Sequence, residues 1–400
     1  MKYFEPQLLT KIRLNSILAI AFFMPISQKL STICIFFSVL LIFLDYKNAF
    51  KRDFKLHPYL PLVLLFLLYS IAYYRDFHLF SVKIFEQKAS LIAFPLIFFS
   101  LELNKSYIIK VLKTFVYGCF TAYITLLIIA LYKSLDFSTF NFTPILNDYV
   151  GKEYDYFQVH YFFGKLFAND FHGTYLSVYF LFSIIIIHLF KNEFSVKIKY
   201  LLYICFGAFI FQIFSIFSLI MLLLIVLYFG NKYSKILILP LLTIGIIFSS
   251  FNFTKAINSL KTQNRLIIWE TTIGVIKEKP LFGFGVKTAQ KKLHSNYPKT
   301  GEFGALTQKK KTDAHNQFLQ ISLEMGILGL FLLFLIYFKM ISLKIKDHKL
   351  KGASIFFILI FGLLSIIEST FNIYLGISFF CFYYCLFVNF DFNSEDFNVN

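Results

Sequence analysis

The chain has 400 residues, 58% of them hydrophobic, and a formal net charge of +17. A mean hydropathy of +0.68, with 56 Phe and 25 Tyr, excludes an ordinary soluble domain, in which about 45–50% of residues are apolar. The basic excess does not imply a nucleic-acid partner, because the Lys and Arg fall mainly in short runs between apolar stretches, where membrane orientation is the simpler cause.

Apolar runs of about 17–25 residues, each able to cross roughly 30 Å of hydrocarbon, recur along most of the chain. They lie near 12–28, 30–45, 57–74, 89–102, 107–132, 173–190, 199–214, 216–230, 234–250, 317–340, 352–369 and 371–390. The alternating segments of about ten residues that a β-barrel needs are missing. The expected fold class is an all-α polytopic membrane protein of about 12 transmembrane helices. The first apolar run has no small-residue cleavage site and is followed directly by another span, so it reads as an anchor and not as a cleaved signal. Cys34, Cys119, Cys205, Cys381 and Cys385 all fall inside apolar spans. They read as small apolar residues, not as disulfides or metal ligands.

The short loops set the expected orientation. Lys47, Lys51, Arg52 and Lys55 follow span two; Lys191, Lys197 and Lys199 follow span six; Lys232 and Lys235 follow span eight; Lys344, Lys346, Lys349 and Lys351 follow span ten. Basic exits from even-numbered spans place those loops and both termini in the cytoplasm. Three regions result: residues 1–250 with spans one to nine and an outward loop near 133–172; a large outward loop, 251–316; and residues 317–400 with spans ten to twelve and a cytoplasmic tail. The large loop holds twelve Lys/Arg against four Asp/Glu, a net charge of +8. Such a field attracts phosphates or acidic glycans, or simply anionic lipid heads.

Within that loop, TQNRLIIWETTIGVIKEK (262–279) has helical spacing, with Leu266, Trp269, Ile273 and Ile276 on one stripe and Arg265 a turn before Trp269. This predicts an amphipathic helix on the membrane surface, with the single Trp at headgroup level. Pro280 ends it, and PLFGFG (280–285) makes a turn, or a place where backbone packs close to something. No strand precedes this glycine pair and a dinucleotide fingerprint is incomplete, so no nucleotide loop is expected. The loop closes on Asp313, Ala314, His315, Asn316 and Gln317, a polar cluster at the entrance of span ten, which carries Glu324, Gly326 and Gly329.

The order Arg265…Trp269, PLFGFG, Ala314-His315-Asn316, Glu324-Met325-Gly326-Ile327-Leu328-Gly329 resembles the O-antigen ligase and O-antigen polymerase superfamily. The twelve-span topology and the loop between spans nine and ten match as well. Phe171-His172-Gly173-Thr174-Tyr175 looks like the aromatic-rich motif at the start of span six, with Gly173 where many relatives carry Pro. Ser215-Ile216-Phe217-Ser218 lacks the cation that many members place between spans seven and eight.

The resemblance implies transfer of a glycan from a polyprenyl pyrophosphate carrier at the outer face of a bacterial inner membrane. The acceptor is the lipid A–core in a ligase, another repeat unit in a polymerase, or a protein in an O-oligosaccharyltransferase. No cofactor, nucleotide or metal is implied. A lipid-linked glycan transporter is the competing class, although no inverted repeat or midplane charge series supports it.

Two groups can carry the chemistry. His315, near neutral at pH 7, can act as general base on the acceptor hydroxyl; taken alone it is equally an interfacial histidine. Arg265 can grip the departing pyrophosphate with a planar fork, or can simply lie on the wet face of its helix. Asp313 or Asn316 can cap span ten. Glu324 can orient His315 or an arginine, or can form a structural ion pair; about 13 Å of helical rise puts it out of direct reach of His315. Asn316, Glu324, His172, Tyr175, Lys88 and Arg75 complete the expected substrate-binding set. Gly326 and Gly329, three apart, read as positions that permit close helix packing rather than as substrate contacts.

Overall fold

The computed structural model describes residues 6–46, 57–75, 86–99, 101–138, 140–146, 159–169, 171–230, 261–298 and 312–396. The expected span at 234–250, and the parts of the large loop at 251–260 and 299–311, lie outside the described residues. Thirteen helices of nine residues or more are described: α1 (Pro6–Phe23), α2 (Gln28–Leu44), α3 (Leu60–Arg75), α4 (Ser90–Phe98), α5 (Lys105–Ser134), α6 (Gly173–Leu189), α7 (Val196–Ile213), α8 (Ile216–Phe229), α9 (Lys261–Glu278), α10 (Val286–Asn296), α11 (Gln317–Ile341), α12 (His348–Ile367) and α13 (Tyr374–Asp396). Among the described residues, six segments are long and apolar enough to cross a membrane: His57–Arg75, Lys105–Ser134, Val196–Ile213, Gln317–Ile341, His348–Ile367 and Tyr374–Asp391. Shorter apolar helices are α2, α6 and α8. The protein is an all-α polytopic membrane protein.

Element ends follow local chemistry. The first apolar run is helical over Pro6–Phe23, not 12–28, because Pro25 disfavours helix at Met24 and removes an amide donor. α4 is nine residues long with Pro95 inside it, shorter than the 89–102 expected. α5, at 30 residues, rises about 45 Å and so outruns the hydrocarbon. It continues into a small antiparallel pair, Leu135–Asp136 with Asn141–Phe142. Asp347 caps α12 by accepting from the amides of Lys349 and Leu350 at 3.0 and 2.9 Å.

The chain divides into two compact units. One comprises residues 14–34 and 106–252. Here α6 packs on α7 and α8, with Phe180 stacked on Phe209 at 3.8 Å. Gly118 of α5 lies so close to the Phe22 carbonyl that a Cβ would overlap it. Small residues at such crossings let membrane helices approach, since lipid gives apolar side chains no reason to leave it.

The other unit comprises residues 1–13, 35–105 and 253–400. In it α3 packs on α11, α11 on α12, and α4 on α13. Phe380 is the centre of an aromatic layer, with Phe361 at 4.8 Å and Phe371 at 5.3 Å. The buried Arg13–Asp45 ion pair, 3.0 Å, also belongs here.

α9 buries Ile268, Thr272 and Val275 and leaves Leu266 and Ile273 exposed, so its packed face is rotated from the stripe read in the sequence. Trp269 is half-buried and packs against a cluster of Ile268, Val275, Phe284, Leu293, Tyr297 and Leu323. α10, in the lysine-rich part of the large loop, supplies Ala289 and Leu293 to that cluster.

Candidate active site

The geometry is set by a break in α11. Gly326 has φ 64° and ψ −156° in the middle of the helix, a conformation open essentially to glycine alone. The break frees backbone groups inside an apolar helix, where each unpaired one costs several kcal/mol. The PLFGFG turn satisfies them. The amides of Phe284 and Gly285 donate to the carbonyls of Leu323 and Glu324 at 3.0 and 2.9 Å, and the Ile327 amide donates to the Pro280 carbonyl at 2.8 Å. Backbone meets backbone: a Cβ on Gly283 (φ 58°) would sit 2.5 Å from Glu324, and one on Gly326 would overlap Leu281. The two glycine motifs are therefore two halves of one joint. Arg75 clamps it from α3, donating to the carbonyls of Phe282 and Gly283 at 3.1 and 3.3 Å.

At the start of α11 the polar cluster is ordered by its own backbone. Asn316 caps the helix, its side-chain oxygen accepting from the amides of Phe318 and Leu319 at 2.9 and 3.0 Å. That oxygen is committed to the helix. His315 has φ 45°, a left-handed conformation held by its amide donating to Asp313 Oδ1 at 3.0 Å. Such strain costs on the order of 1–3 kcal/mol and persists where the surroundings over-determine it.

His315 Nδ1 faces Glu368 Oε2 at 3.5 Å and Asp313 Oδ1 at 3.6 Å. Arg265 Nη2 lies 3.5 Å from the other oxygen of the same carboxylate, Glu368 Oε1. One buried carboxylate thus bridges the imidazole and the guanidinium. These contacts are long, as catalytic contacts often are before substrate closes the site. The bond to Glu368 raises the His315 pKa above its ordinary value and Asp313 adds to this, while burial and Arg265 pull it down. A carboxylate at Nδ1 fixes the tautomer and leaves Nε2 as the basic nitrogen.

Below this surface lies a buried polar layer. Gln320 Oε1 accepts from the Ala314 amide at 2.9 Å, and Gln320 Nε2 donates to Glu324 Oε1 at 2.6 Å. Glu324 is therefore tied, through one amide side chain, to the residue beside His315. Lys88 is 1% exposed. Its ammonium donates to the Phe371 carbonyl at 2.5 Å and Asn372 Oδ1 at 2.9 Å, and lies 4.4 Å from the Tyr69 ring centre. Burial lowers its pKa to about 8, opposed by the carboxylates of Glu324 and Asp313.

The sequence-derived set thus divides. Arg265, His315, Asn316, Glu324, Lys88 and Arg75 lie in one unit, with His315 and Arg265 converging on one carboxylate. His172 and Tyr175 lie in the other unit, ring to ring at 5.1 Å at the start of α6. The sequence reading missed Glu368. Its signal was a lone carboxylate at the end of a membrane span, the same signal that singled out Glu324.

Apolar helices of spanning length, with a polar cluster built where one of them begins and another ends, define a polytopic membrane protein. Residues 161–334 match the family model described as O-Antigen ligase. The match covers less than half of the chain and supports a membrane enzyme of the O-antigen ligase and polymerase family, whose members are glycosyltransferase-like. No curated protein matches the chain. The matched segment contains Arg265, His315, Asn316 and Glu324; Arg75, Lys88 and Glu368 fall outside it.

Proposed function

We propose that the protein moves a glycan from a polyprenyl pyrophosphate carrier to an acceptor hydroxyl, with ligation of O-antigen to lipid A–core as the leading reaction. The observation that carries this reading is the convergence of His315 and Arg265 on Glu368. The acceptor O–H gives its proton to His315 Nε2 as its oxygen bonds the anomeric carbon. The bond from that carbon to the phosphate oxygen breaks, and the pyrophosphate leaves with the electron pair. Arg265 meets the growing charge with a fixed fork, the kind of electrostatic stabilisation that dominates many catalysed reactions. Glu368 holds the imidazolium that forms. No metal or cofactor takes part, so chelator leaves the rate unchanged. The protein sits in the bacterial inner membrane with both termini cytoplasmic and the site facing the periplasm, where the carrier presents its headgroup above the bilayer.

The test is transfer by reconstituted full-length protein, with lipid-linked O-antigen as donor and lipid A–core as acceptor, read as lengthened glycolipid on gels. His315→Ala and Arg265→Ala each abolish transfer while inserting normally. Near-normal transfer by either variant removes that residue from the mechanism. Lengthening of the carrier-bound glycan instead would assign the protein as a polymerase, glycan on protein as an O-oligosaccharyltransferase, and carrier movement without bond formation as a transporter.

A further inference from the structure

Glu368 can serve His315 only if the chain after α12 is held against the start of α11. These segments are 53 residues apart, and neither contact to Glu368 is short. The turn that follows Glu368, Thr370–Asn372, is gripped at one residue from two sides. Gln317, 0% exposed, accepts the Phe371 amide on its Oε1 at 2.7 Å. Lys88 takes the Phe371 carbonyl at 2.5 Å. Gln317 is the first residue of α11 and lies two positions after His315. Its side chain is therefore the direct tie between the helix end that carries the base and the turn that carries its carboxylate.

We propose that Gln317 is a positioning residue: its side-chain carbonyl sets the distance between Glu368 and His315, with Lys88 as the counter-grip on the same residue of the turn. The energetics favour a single register. A buried Phe371 amide left unpaired costs about 1–3 kcal/mol, so the turn has one well-paired seat and little reason to wander from it. α11 and the end of α12 are also linked through the Tyr337–Ser365 and Ser365–Thr370 hydrogen bonds, but the Gln317 bond fixes the backbone of the turn at Phe371, at the helix end that carries His315. The inference rests on the proposed His315 base only for its catalytic consequence; the positioning itself is readable without any substrate.

Diethyl pyrocarbonate, which acylates neutral imidazole, gives that reading. Full-length protein in detergent is labelled across a pH series, and His315 acylation is followed by peptide mass spectrometry. The midpoint of the rate against pH reports the imidazole facing Glu368, Asp313 and Arg265. Glu368→Gln lowers the midpoint, because the carboxylate that favours the charged ring is gone. Gln317→Met, which removes the acceptor, lowers it in the same direction, and adding it to Glu368→Gln produces no further shift. Gln317→Glu, which keeps an acceptor oxygen in place, holds the midpoint at or above the wild-type position. Only protein from the monodisperse gel-filtration peak is labelled and scored, because an unfolded fraction carries a free imidazole whose lower midpoint would mimic the shift. An unchanged midpoint in Gln317→Met beside a lowered one in Glu368→Gln would overturn the positioning role and leave the catalytic reading intact. No shift in Glu368→Gln itself would overturn both the positioning role and the His315–Glu368 pairing. A lowered midpoint in Gln317→Met with undiminished transfer by His315→Ala would uphold the positioning role and sink the catalytic reading.

Discussion

Replacing Gly326 with alanine tests the joint on which the site is built. Alanine at φ 64°, ψ −156° costs about 1–3 kcal/mol in backbone strain alone. Its Cβ would also overlap the Leu281 peptide, so the PLFGFG turn must retreat. Retreat breaks three buried hydrogen bonds, those of Phe284 to Leu323, Gly285 to Glu324 and Ile327 to Pro280, each worth about 0.5–1.5 kcal/mol. The total of about 3–7 kcal/mol is a large share of the roughly 5–15 kcal/mol that holds a native protein together. The protein carries one tryptophan, and Trp269 packs on the cluster that includes Phe284 and Leu323. Its fluorescence therefore reports the docked turn. Gly326→Ala shifts the emission to longer wavelength, increases quenching by acrylamide and lowers the melting temperature in detergent. Gly274→Ala is the control: it lies in α9 with nothing within 4 Å of its added Cβ, and gains up to about 1 kcal/mol of helix propensity. Wild-type emission and melting in Gly326→Ala would refute the claim that the break in α11 is fixed by backbone contact with the turn.

Three further outcomes are expected. Arg265→Lys loses most transfer activity, because one ammonium does not reproduce a planar fork on phosphate; full activity would reduce Arg265 to surface charge. Asn316→Ala removes the cap on α11 and costs about 0.5–2 kcal/mol, seen as a lower melting temperature that Asn316→Asp largely restores. Since Glu368 raises the His315 pKa and the base works as neutral imidazole, kcat/KM falls as pH drops through a midpoint above the ordinary histidine value. A midpoint below it would mean that Glu368 does not face the imidazole during turnover.

The helices were legible because membrane spans are written as run length. α3, α5, α6, α7, α8, α11 and α12 begin and end within a few residues of the apolar runs. The break in α11 was not legible, since apolar residues continue through Gly326 on both sides and hydropathy does not register a single dihedral. Glycine at 283 and at 326 announced close backbone approach separately. That each was the other's partner is a fact of tertiary structure. α10 was hidden by its lysines, although Val286, Ala289 and Leu293 hold a helical spacing beneath them. His315 and Arg265 were found through motif order, and Glu368 was missed because it lies in a segment where the resemblance offers no motif.

The charges of the unit also separate by availability, and this narrows what can meet a phosphate. Arg75 spends its guanidinium on two carbonyls of the glycine turn, and Lys88 spends its ammonium on Phe371, Asn372 and the face of Tyr69. Both belong to the expected substrate-binding set; in this structure their polar atoms are engaged with the turn and with Phe371 and Asn372. Arg265 differs, with a side chain 40% exposed and a single carboxylate at 3.5 Å. In the proposed reaction, a guanidinium so placed exchanges Glu368 for a phosphate oxygen of the donor, while Glu368 keeps the imidazole. On the proposed mechanism, the negative charge of the pyrophosphate offsets the Arg265 charge that lowers the His315 pKa, so donor binding and strengthening of the base are coupled. In the proposed reaction Arg75 and Lys88 hold the frame, and Arg265 is the cation placed to meet the phosphate.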